Sequence, residues 1–196
     1  VQHGKRMAAI IRDFTGIAAR EVSDQRQLVH LEHEIDQALA AVTAGTDTSA
    51  LAVERQYAGD TMVSALPDQL RQALMNLLLN AIQAMKGKGG LRLGTSLAGS
   101  HVTITIADSG PGIPKHHLSR IFDPFFTTKN QGEGSGLGLT VARRIIKKFG
   151  GDIRLESVEG AGTSCLVTLP LVASNSSKEA PWTASESRTF PQASRS

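Results

Sequence analysis

Apolar positions along this chain switch between a helical and an alternating period, and the switches mark out its elements. Met7, Ile10, Ile11, Phe14 and Ile17-Ala18 recur at helical spacing and predict an amphipathic helix over about residues 3–22. Alone it would be marginal, because helical stability comes mostly from packing an apolar face on a partner. Leu28-Val29-His30-Leu31 is a short strand candidate. Ile35, Ala38, Leu39 and Val42 predict a helix that ends before Gly45. Residues 50–57 and 61–65 read as strands around Gly59-Asp60. Pro67 suits the first turn of a long helix over about 67–86, which Gly87 would stop. Residues 91–98 and 101–107 alternate apolar with polar around Gly99-Ser100, which is a hairpin pattern. Residues 109–135 are rich in Gly, Pro and polar side chains and read mainly as a long functional loop. A helix over about 136–149, closed by Gly150-Gly151, precedes a final strand pair, 152–157 with 163–169. After Pro170 the composition turns to Ser, Thr, Pro and Ala, and residues 174–196 read as a disordered tail.

This order predicts an α+β two-layer sandwich, with helices on one side of a mixed, mainly antiparallel sheet. It is not a βαβ order, so the glycine clusters do not read as a Rossmann or P-loop site, and Gly-x-x-x-x-Gly-Lys-[Ser/Thr] is absent.

Composition narrows the picture. The 196 residues are 40% apolar but only 4% aromatic, so the core is built mostly from Leu, Ile, Val and Ala. The net charge of +3 is spread along the chain without a Lys/Arg block, and no nucleic-acid partner is expected. A single cysteine, Cys165, excludes an internal disulfide and a Cys-rich metal site; within Cys165-Leu166-Val167 it reads as a buried, inert thiol. No run reaches the roughly 18 apolar residues of a membrane span, and there is no signal-peptide pattern. The expectation is a soluble, cytoplasmic chain, with a membrane anchor in a longer parent left open.

Four features carry chemistry. On a helix, Gln72, Asn76 and Asn80 share one stripe at four-residue spacing, beside an apolar perimeter of Leu70, Leu74, Leu77, Leu78 and Ala81. Carboxamides on such a helix are costly to bury unless paired. They either bond neighbouring backbone or turn their oxygens to a metal–phosphate group, since Mg²⁺ takes oxygen ligands and is often held by few protein groups plus phosphates. Asp108 ends an apolar strand and is followed by Ser109-Gly110-Pro111-Gly112-Ile113. It is either a simple turn residue or a carboxylate that accepts from an exocyclic amine, with Gly110 and Gly112 letting backbone approach a flat ring. Gly132 to Gly138 lead into the helix carrying Leu139, Val141, Ala142, Ile145 and Ile146. This is either a flexible linker or an anion site of backbone N–H groups at a helix N-terminus. Gly160-Ala161-Gly162-Thr163 precedes the last strand and could be only a hairpin turn.

Between these lie Phe122, Phe125 and Phe126, half of the chain's six phenylalanines, in one loop. Three such rings are not left in water without reason. They are expected to dock on the domain as a lid hinge, or on the helical segment. Lys129 is the lid candidate for a phosphate contact, with a solvated lysine as the alternative. His116 and His117 read as solvated loop residues, and His30, His33 and His101 belong to no ligand-like constellation.

The run Asn76-Leu77-Leu78-Leu79-Asn80-Ala81, the three glycine clusters and Phe122-Asp123-Pro124-Phe125-Phe126-Thr127-Thr128-Lys129, in this order, resemble the nucleotide site of the GHKL (Bergerat-fold) ATPases. The match is closest to the ATP-binding domain of a sensor histidine kinase and covers about residues 28–170. The resemblance implies ATP and Mg²⁺ as cofactors. It makes Asn80 the magnesium ligand, with Asn76 beside it near the phosphates. It gives Asp108 the adenine amino group, with Gly110, Gly112, Ile113 and Phe122 around the nucleotide. Gly134, Gly136, Leu137, Gly138 and Leu139 become the seat of the triphosphate, and Thr163 helps to hold Asp108 through water. Asn76, Asn80 and Lys129 form the catalytic set. Gyrase- and MutL-like members carry a Glu matching Asn76 to activate water; an amide cannot be that base, which favours phosphoryl transfer to a protein side chain over hydrolysis.

The resemblance also implies a domain division: residues 1–24 as part of a dimerisation hairpin helix, 25–172 as the ATP-binding domain and 173–196 as a tail. The phospho-accepting His of the family sits in a His-Glu/Asp-x-x-x-Pro-like motif. His3-Gly4-Lys5-Arg6 does not match it, so the acceptor is expected upstream of this chain. The implied partners are the dimerisation and phospho-acceptor helices of the parent kinase, a homodimer in that parent, and the receiver domain of a response regulator. Two other readings stay open: a GHKL ATPase of another kind, and a nucleotide-binding module without catalysis.

Overall fold

Helix α1 (Leu31–Thr43) buries Leu31, Ile35, Ala38, Leu39 and Val42, the stripe that the helical period marks out. The chain was described from a computed structural model, which covers residues 25–44, 46–59, 61–129 and 134–172. The helix expected over 3–22, the tail expected over 174–196, and Gly132 lie outside the described residues.

Helix α2 (Pro67–Ala84) has Pro67 in its first turn, where no intrahelical N–H is needed, and buries Leu70, Ala73, Leu74, Leu77, Leu78, Ala81 and Ile82. A bidentate pair ties it to α1: Arg71 Nε and Nη2 reach Glu34 at 3.0 Å each. Helix α3 (Lys115–Leu118) is a single turn inside the long loop, and helix α4 (Gly138–Lys148) buries Ala142, Ile145 and Ile146.

The strands are β1 (Gln27–His30), β2 (Ala50–Gln56), β3 (Met62–Ala65), β4 (Lys88–Ala98), β5 (His101–Asp108), β6 (Asp152–Val158) and β7 (Gly162–Pro170). Strands β2 and β3 flank Gly59-Asp60 as expected but do not pair with each other. β3 runs antiparallel to β1 in a small two-stranded sheet, while β2 joins a five-stranded sheet of order β2-β4-β5-β7-β6. β2 is parallel to β4 and the remaining neighbours are antiparallel, which makes the sheet mixed and mainly antiparallel.

One face of this sheet is the core. Leu91 and Leu93 of β4, Val102, Ile104 and Ile106 of β5, Cys165, Val167 and Leu169 of β7 and Ile153 of β6 are buried with the helix stripes. Full burial of each such side chain stabilises by about 1.5–3 kcal/mol, so the helix layer is held mainly by this face. The alternate residues face out and, Leu166 and Val158 apart, are polar or small, as expected of a one-sided antiparallel sheet; Arg92 Nε pairs there with Glu54 at 3.0 Å. The Cys165 thiol lies in the core and burial pushes it up to about 12, so it is inert as the sequence suggests. The register sets Asp108, the last residue of β5, between Leu91 of β4 and Thr163 of β7. That places the expected adenine-binding carboxylate at one sheet end, beside the C-terminal end of α2.

Candidate functional site

The carboxamide stripe faces the start of α4. Asn76 and Asn80 are half-buried on α2, and a Cβ built on Gly138 would lie 3.9 Å from Asn76 Cβ and Cγ and 4.0 Å from Asn80 Nδ2. Gly138 opens α4, and Leu137 before it supplies no side-chain cap. The first N–H groups of a helix have no intrahelical partner and carry the positive end of its dipole. Two amide side chains and a helix N-terminus therefore converge on one spot, an arrangement suited to a phosphate and its counter-ion. Leu137 N–H donates to Ser135 Oγ at 3.3 Å, a long bond that another acceptor could replace. Leu139 packs against the core and anchors the first turn of α4.

The long loop, the lid, reaches this spot through Lys129. Phe122 is half-buried, with the Arg143 guanidinium 4.6 Å from its ring centre and its carbonyl accepting from Thr140 Oγ1 at 3.0 Å. Phe126 packs against His117, 5.4 Å between ring centres, and under the Arg120 guanidinium. His117 is thus half-buried on an aromatic ring, whereas the sequence reads it as a solvated loop residue. Phe125 is 70% exposed, so of the three rings expected to dock on the domain Phe122 does so, while Phe126 packs on residues of the lid itself. Gly136 has a φ of +70°, and a Cβ there would lie 2.5 Å from the carbonyl carbon of Phe125. Only glycine permits this crossing of the two lid arms. Gly134 approaches the Lys129 side chain less closely, with a built Cβ 3.3 Å from Lys129 Cδ. The Lys129 ammonium donates to Gln83 Oε1 at 2.5 Å and to Asn80 Oδ1 at 3.5 Å.

The second cluster lies at the other end of the same helix face. Asp108 Oδ1 accepts from Gly110 N–H at 2.8 Å, and Thr163 N–H also bonds its carboxylate. Desolvation raises the Asp108 carboxyl above the usual carboxylate range, and the two N–H bonds pull it back in part. A Cβ on Gly110 would lie 3.4 Å from Ala84 Cβ, so this turn rests on the last residue of α2. Gly112 has a φ of +71° and sits where a Cβ would strike the Val158 carbonyl at 2.1 Å. Ser157 Oγ accepts from Ile113 N–H at 2.7 Å, donates to the Gly162 carbonyl at 2.9 Å and shares a bond with Thr163 Oγ1 at 2.9 Å. The loop after β5 is thereby stapled to the β6–β7 turn.

From Asn80 to Ala84 is about 6 Å along a helix axis. The structure brings Asn76, Asn80, Lys129, Gly134, Gly136 and Gly138 together at one end, and Asp108, Gly110, Gly112, Ile113 and Thr163 at the other. Sequence reasoning missed Ser157 and Gln83. Gln83 lies three residues after Asn80 and seven after Asn76, a spacing that carries the signal for it; Ser157 sits in an ordinary alternating strand and carries none. A cavity of about 650 Å³, lined by Glu54, Arg92, Ala107, Ser164 and Glu156 among others, touches Asp108 and Thr163 but neither asparagine. Its lining follows the outward residues of the sheet, so it is not the space between α2, α4 and the lid.

The donor chemistry suits magnesium. Asn80 Oδ1 is a neutral hard oxygen that already faces a cationic ammonium. Among the described residues no group of three or more His, Cys, Asp or Glu side chains could hold a metal, so the remaining ligands would be phosphate and water.

Residues 65–173 match the family described as histidine kinase-, DNA gyrase B-, and HSP90-like ATPase. The chain is 40% identical over 147 residues to the sensor histidine kinase ZraS of Escherichia coli K12, covering 74% of this chain and 31% of that one. It is 34% identical over 145 residues to sporulation kinase C of Bacillus subtilis 168, covering 71% and 33%. The chain thus spans about a third of the length of these curated relatives. In structure it is similar to the catalytic domain of histidine kinase ThkA, with a TM-score of 0.67 at 30% identity, over 75% of this chain and 96% of that one.

Proposed function

We propose that this chain, which belongs to the histidine kinase-, DNA gyrase B- and HSP90-like ATPase family, is the ATP-binding catalytic domain of a two-component sensor histidine kinase. In the parent protein it would pass the γ-phosphate of ATP to a histidine on a dimerisation helix, for relay to a response-regulator aspartate. The observation that carries this reading is the convergence of Asn76 and Asn80 on Gly138 at the opening of α4.

The roles follow from the chemistry of each group. Asp108 accepts the adenine amine, and Gly110, Gly112, Ile113 and Phe122 bound the base and ribose. The N–H groups of Gly134, Gly136, Leu137 and Gly138 receive phosphate oxygens, and Leu139 fixes the helix that carries them. Asn80 Oδ1 offers an oxygen ligand to Mg²⁺, and Asn76 holds its amide beside the phosphates. Lys129 brings a positive charge to the transferring phosphoryl group. Thr163 holds Asp108 from the neighbouring strand. When bound, the magnesium ion supplies charge neutralisation of the phosphates.

Asn76 decides between transfer and hydrolysis. A carboxamide cannot take a proton from water, so water attack lacks its base while an external nucleophile is not disadvantaged. Such an acceptor would come from the parent: a histidine on the dimerisation hairpin of which residues 1–24 are part, in a homodimer, with a receiver domain as the final acceptor. Titration with ADP by calorimetry and a phosphate-release assay test the reading. Binding at micromolar to millimolar nucleotide with very slow turnover is expected. No heat of binding, or turnover like that of an ordinary ATPase, overturns it.

A further inference from the structure

Gln83 is a residue that the proposed reading leaves without a part, yet it accepts a short hydrogen bond from the lid lysine. The Lys129 ammonium lies 2.5 Å from Gln83 Oε1 and 3.5 Å from Asn80 Oδ1. Gln83 and Asn80 are three residues apart on α2, so their side chains are neighbours on one helix face. An ammonium has three donors and can serve both oxygens at once. We propose that Gln83 is a positioning residue that parks the Lys129 ammonium on Asn80, so that the lid lysine and magnesium compete for the same amide oxygen. This rests on the reading of Asn80 as a magnesium ligand.

The competition follows from charge. A dication at Asn80 Oδ1 would stand only a few ångströms from the ammonium, and two cations repel strongly at that range in a partly dry site. One must leave. Magnesium at Asn80 would displace the ammonium from that oxygen, and the phosphate that arrives with the metal offers it an anionic partner.

Release of the lysine also moves the lid. Lys129 N–H donates to Thr127 Oγ1 at 3.2 Å, and Gly134 lies against both the Lys129 and Thr127 side chains. Phe125 N–H donates to the Gly136 carbonyl at 3.0 Å. The ammonium thus pins one lid arm to α2, and that arm carries the other, which leads to the N–H groups at the start of α4. Metal entry, lysine release and rearrangement of the phosphate-binding arm become one event. Gln83 sets how much magnesium this event needs.

The test is a double-mutant cycle on the full chain with Gln83→Met and Lys129→Met. Methionine keeps the length of the glutamine side chain, and that of the lysine short of its nitrogen, without the hydrogen-bonding end group; Gln83 is exposed, so the fold should not change. ADP is held fixed and Mg²⁺ is titrated, with bound nucleotide read by a fluorescent ADP analogue. Gln83→Met should lower the half-saturating Mg²⁺ by about fivefold, the factor expected for losing one hydrogen bond of roughly 1 kcal/mol. In the Lys129→Met background it should change nothing. A separate measurement needs neither metal nor nucleotide: ¹⁵N relaxation of the amides of residues 127–129 and 134–136 should show greater mobility in Gln83→Met than in the parent chain. An unchanged magnesium requirement, or a shift that survives in Lys129→Met, overturns the proposal. Failure of the unmutated chain to bind magnesium and ADP at all would instead overturn the reading of Asn80. The relaxation experiment tells the two failures apart, because it reports the parking contact alone.

Discussion

The backbone of Phe125 and the backbone of Gly136 cross in contact: the Phe125 amide donates to the Gly136 carbonyl at 3.0 Å, and a single Cβ on Gly136 would overlap Phe125. The two lid arms are locked by this crossing. Phe125 itself stands in the left-handed region, with a φ of +65° and its ring 70% exposed. A bulky residue in that conformation is costly, and such costs collect at functional segments.

Gly136→Ala tests the lock. The new methyl would meet backbone that cannot turn aside as a flexible side chain can, at a φ costing a non-glycine residue about 1–3 kcal/mol. The lid arms should separate while the five-stranded sheet keeps its stability. The expected result is ADP affinity reduced by about tenfold with a melting temperature close to that of the unmutated chain. Unchanged affinity would mean that the crossing does not shape the phosphate site.

Asp108→Asn should weaken adenine nucleotides much more than it harms the fold. A carboxylate that accepts from the adenine amine is replaced by a group that can present an N–H there, which leaves a mismatch of about 1–3 kcal/mol. Competition between ATP and GTP is the measurement. The unmutated chain should prefer ATP and the variant should lose the preference. If the variant binds ATP as tightly as before, Asp108 is only a turn residue.

The raised carboxyl of Asp108 also predicts a pH signature. Its folded value lies above its unfolded value, because burial disfavours the charge more than the two N–H bonds favour it. Its stabilising contribution is then fully present below the unfolded value and is lost as pH rises through the folded one. At neutral pH the ionised group is a net burden on the fold. Asp108→Asn should therefore be at least as stable as the unmutated chain at pH 7, with the difference shrinking in acid. Nucleotide affinity should move the other way and fall as Asp108 protonates. Parallel denaturant melts at pH 4 and pH 7 check the sign, and a variant less stable at pH 7 than at pH 4, relative to the unmutated chain, would show a satisfied structural carboxylate.

Asn80→Ala should leave the melting temperature without ligand nearly unchanged, since alanine is a good helix former at a half-buried position. The variant should lose the upward shift that Mg-ATP gives the unmutated chain. A large drop without ligand, with a normal response to Mg-ATP in the folded remainder, would make Asn80 a structural amide.

Much of this was legible in the sequence, and the physical reason differs element by element. The α2 stripe is read directly, because Leu70, Leu74, Leu77 and Leu78 fall on one helical face whatever the tertiary context. The β4–β5 hairpin is equally local: alternation and Gly99-Ser100 specify it. The partners of β2 and β3 were not legible, since both are short runs beside one turn and only long-range pairing sends one to β4 and the other to β1. The approach of Gly138 to Asn76 is likewise a packing fact that joins residues far apart in sequence, and the family resemblance anticipated it where periodicity could not. His117 was misread because its partner, Phe126, lies nine residues on in a segment without regular period. Gln83 was visible in the helical spacing and passed over, whereas Ser157 had no local signal at all.

Transfer of phosphate to a histidine supplied in trans tests the central claim most directly. A separately expressed dimerisation hairpin carrying its acceptor histidine is mixed with this chain and with ATP labelled at the γ-position. The account predicts acid-labile, base-stable label on the hairpin that requires Mg²⁺ and disappears with Asn80→Ala. Hairpins from several sensor kinases of the same family should be tried, since pairing is specific. Release of free phosphate at the rate of an ordinary ATPase, with every hairpin unlabelled, would contradict it.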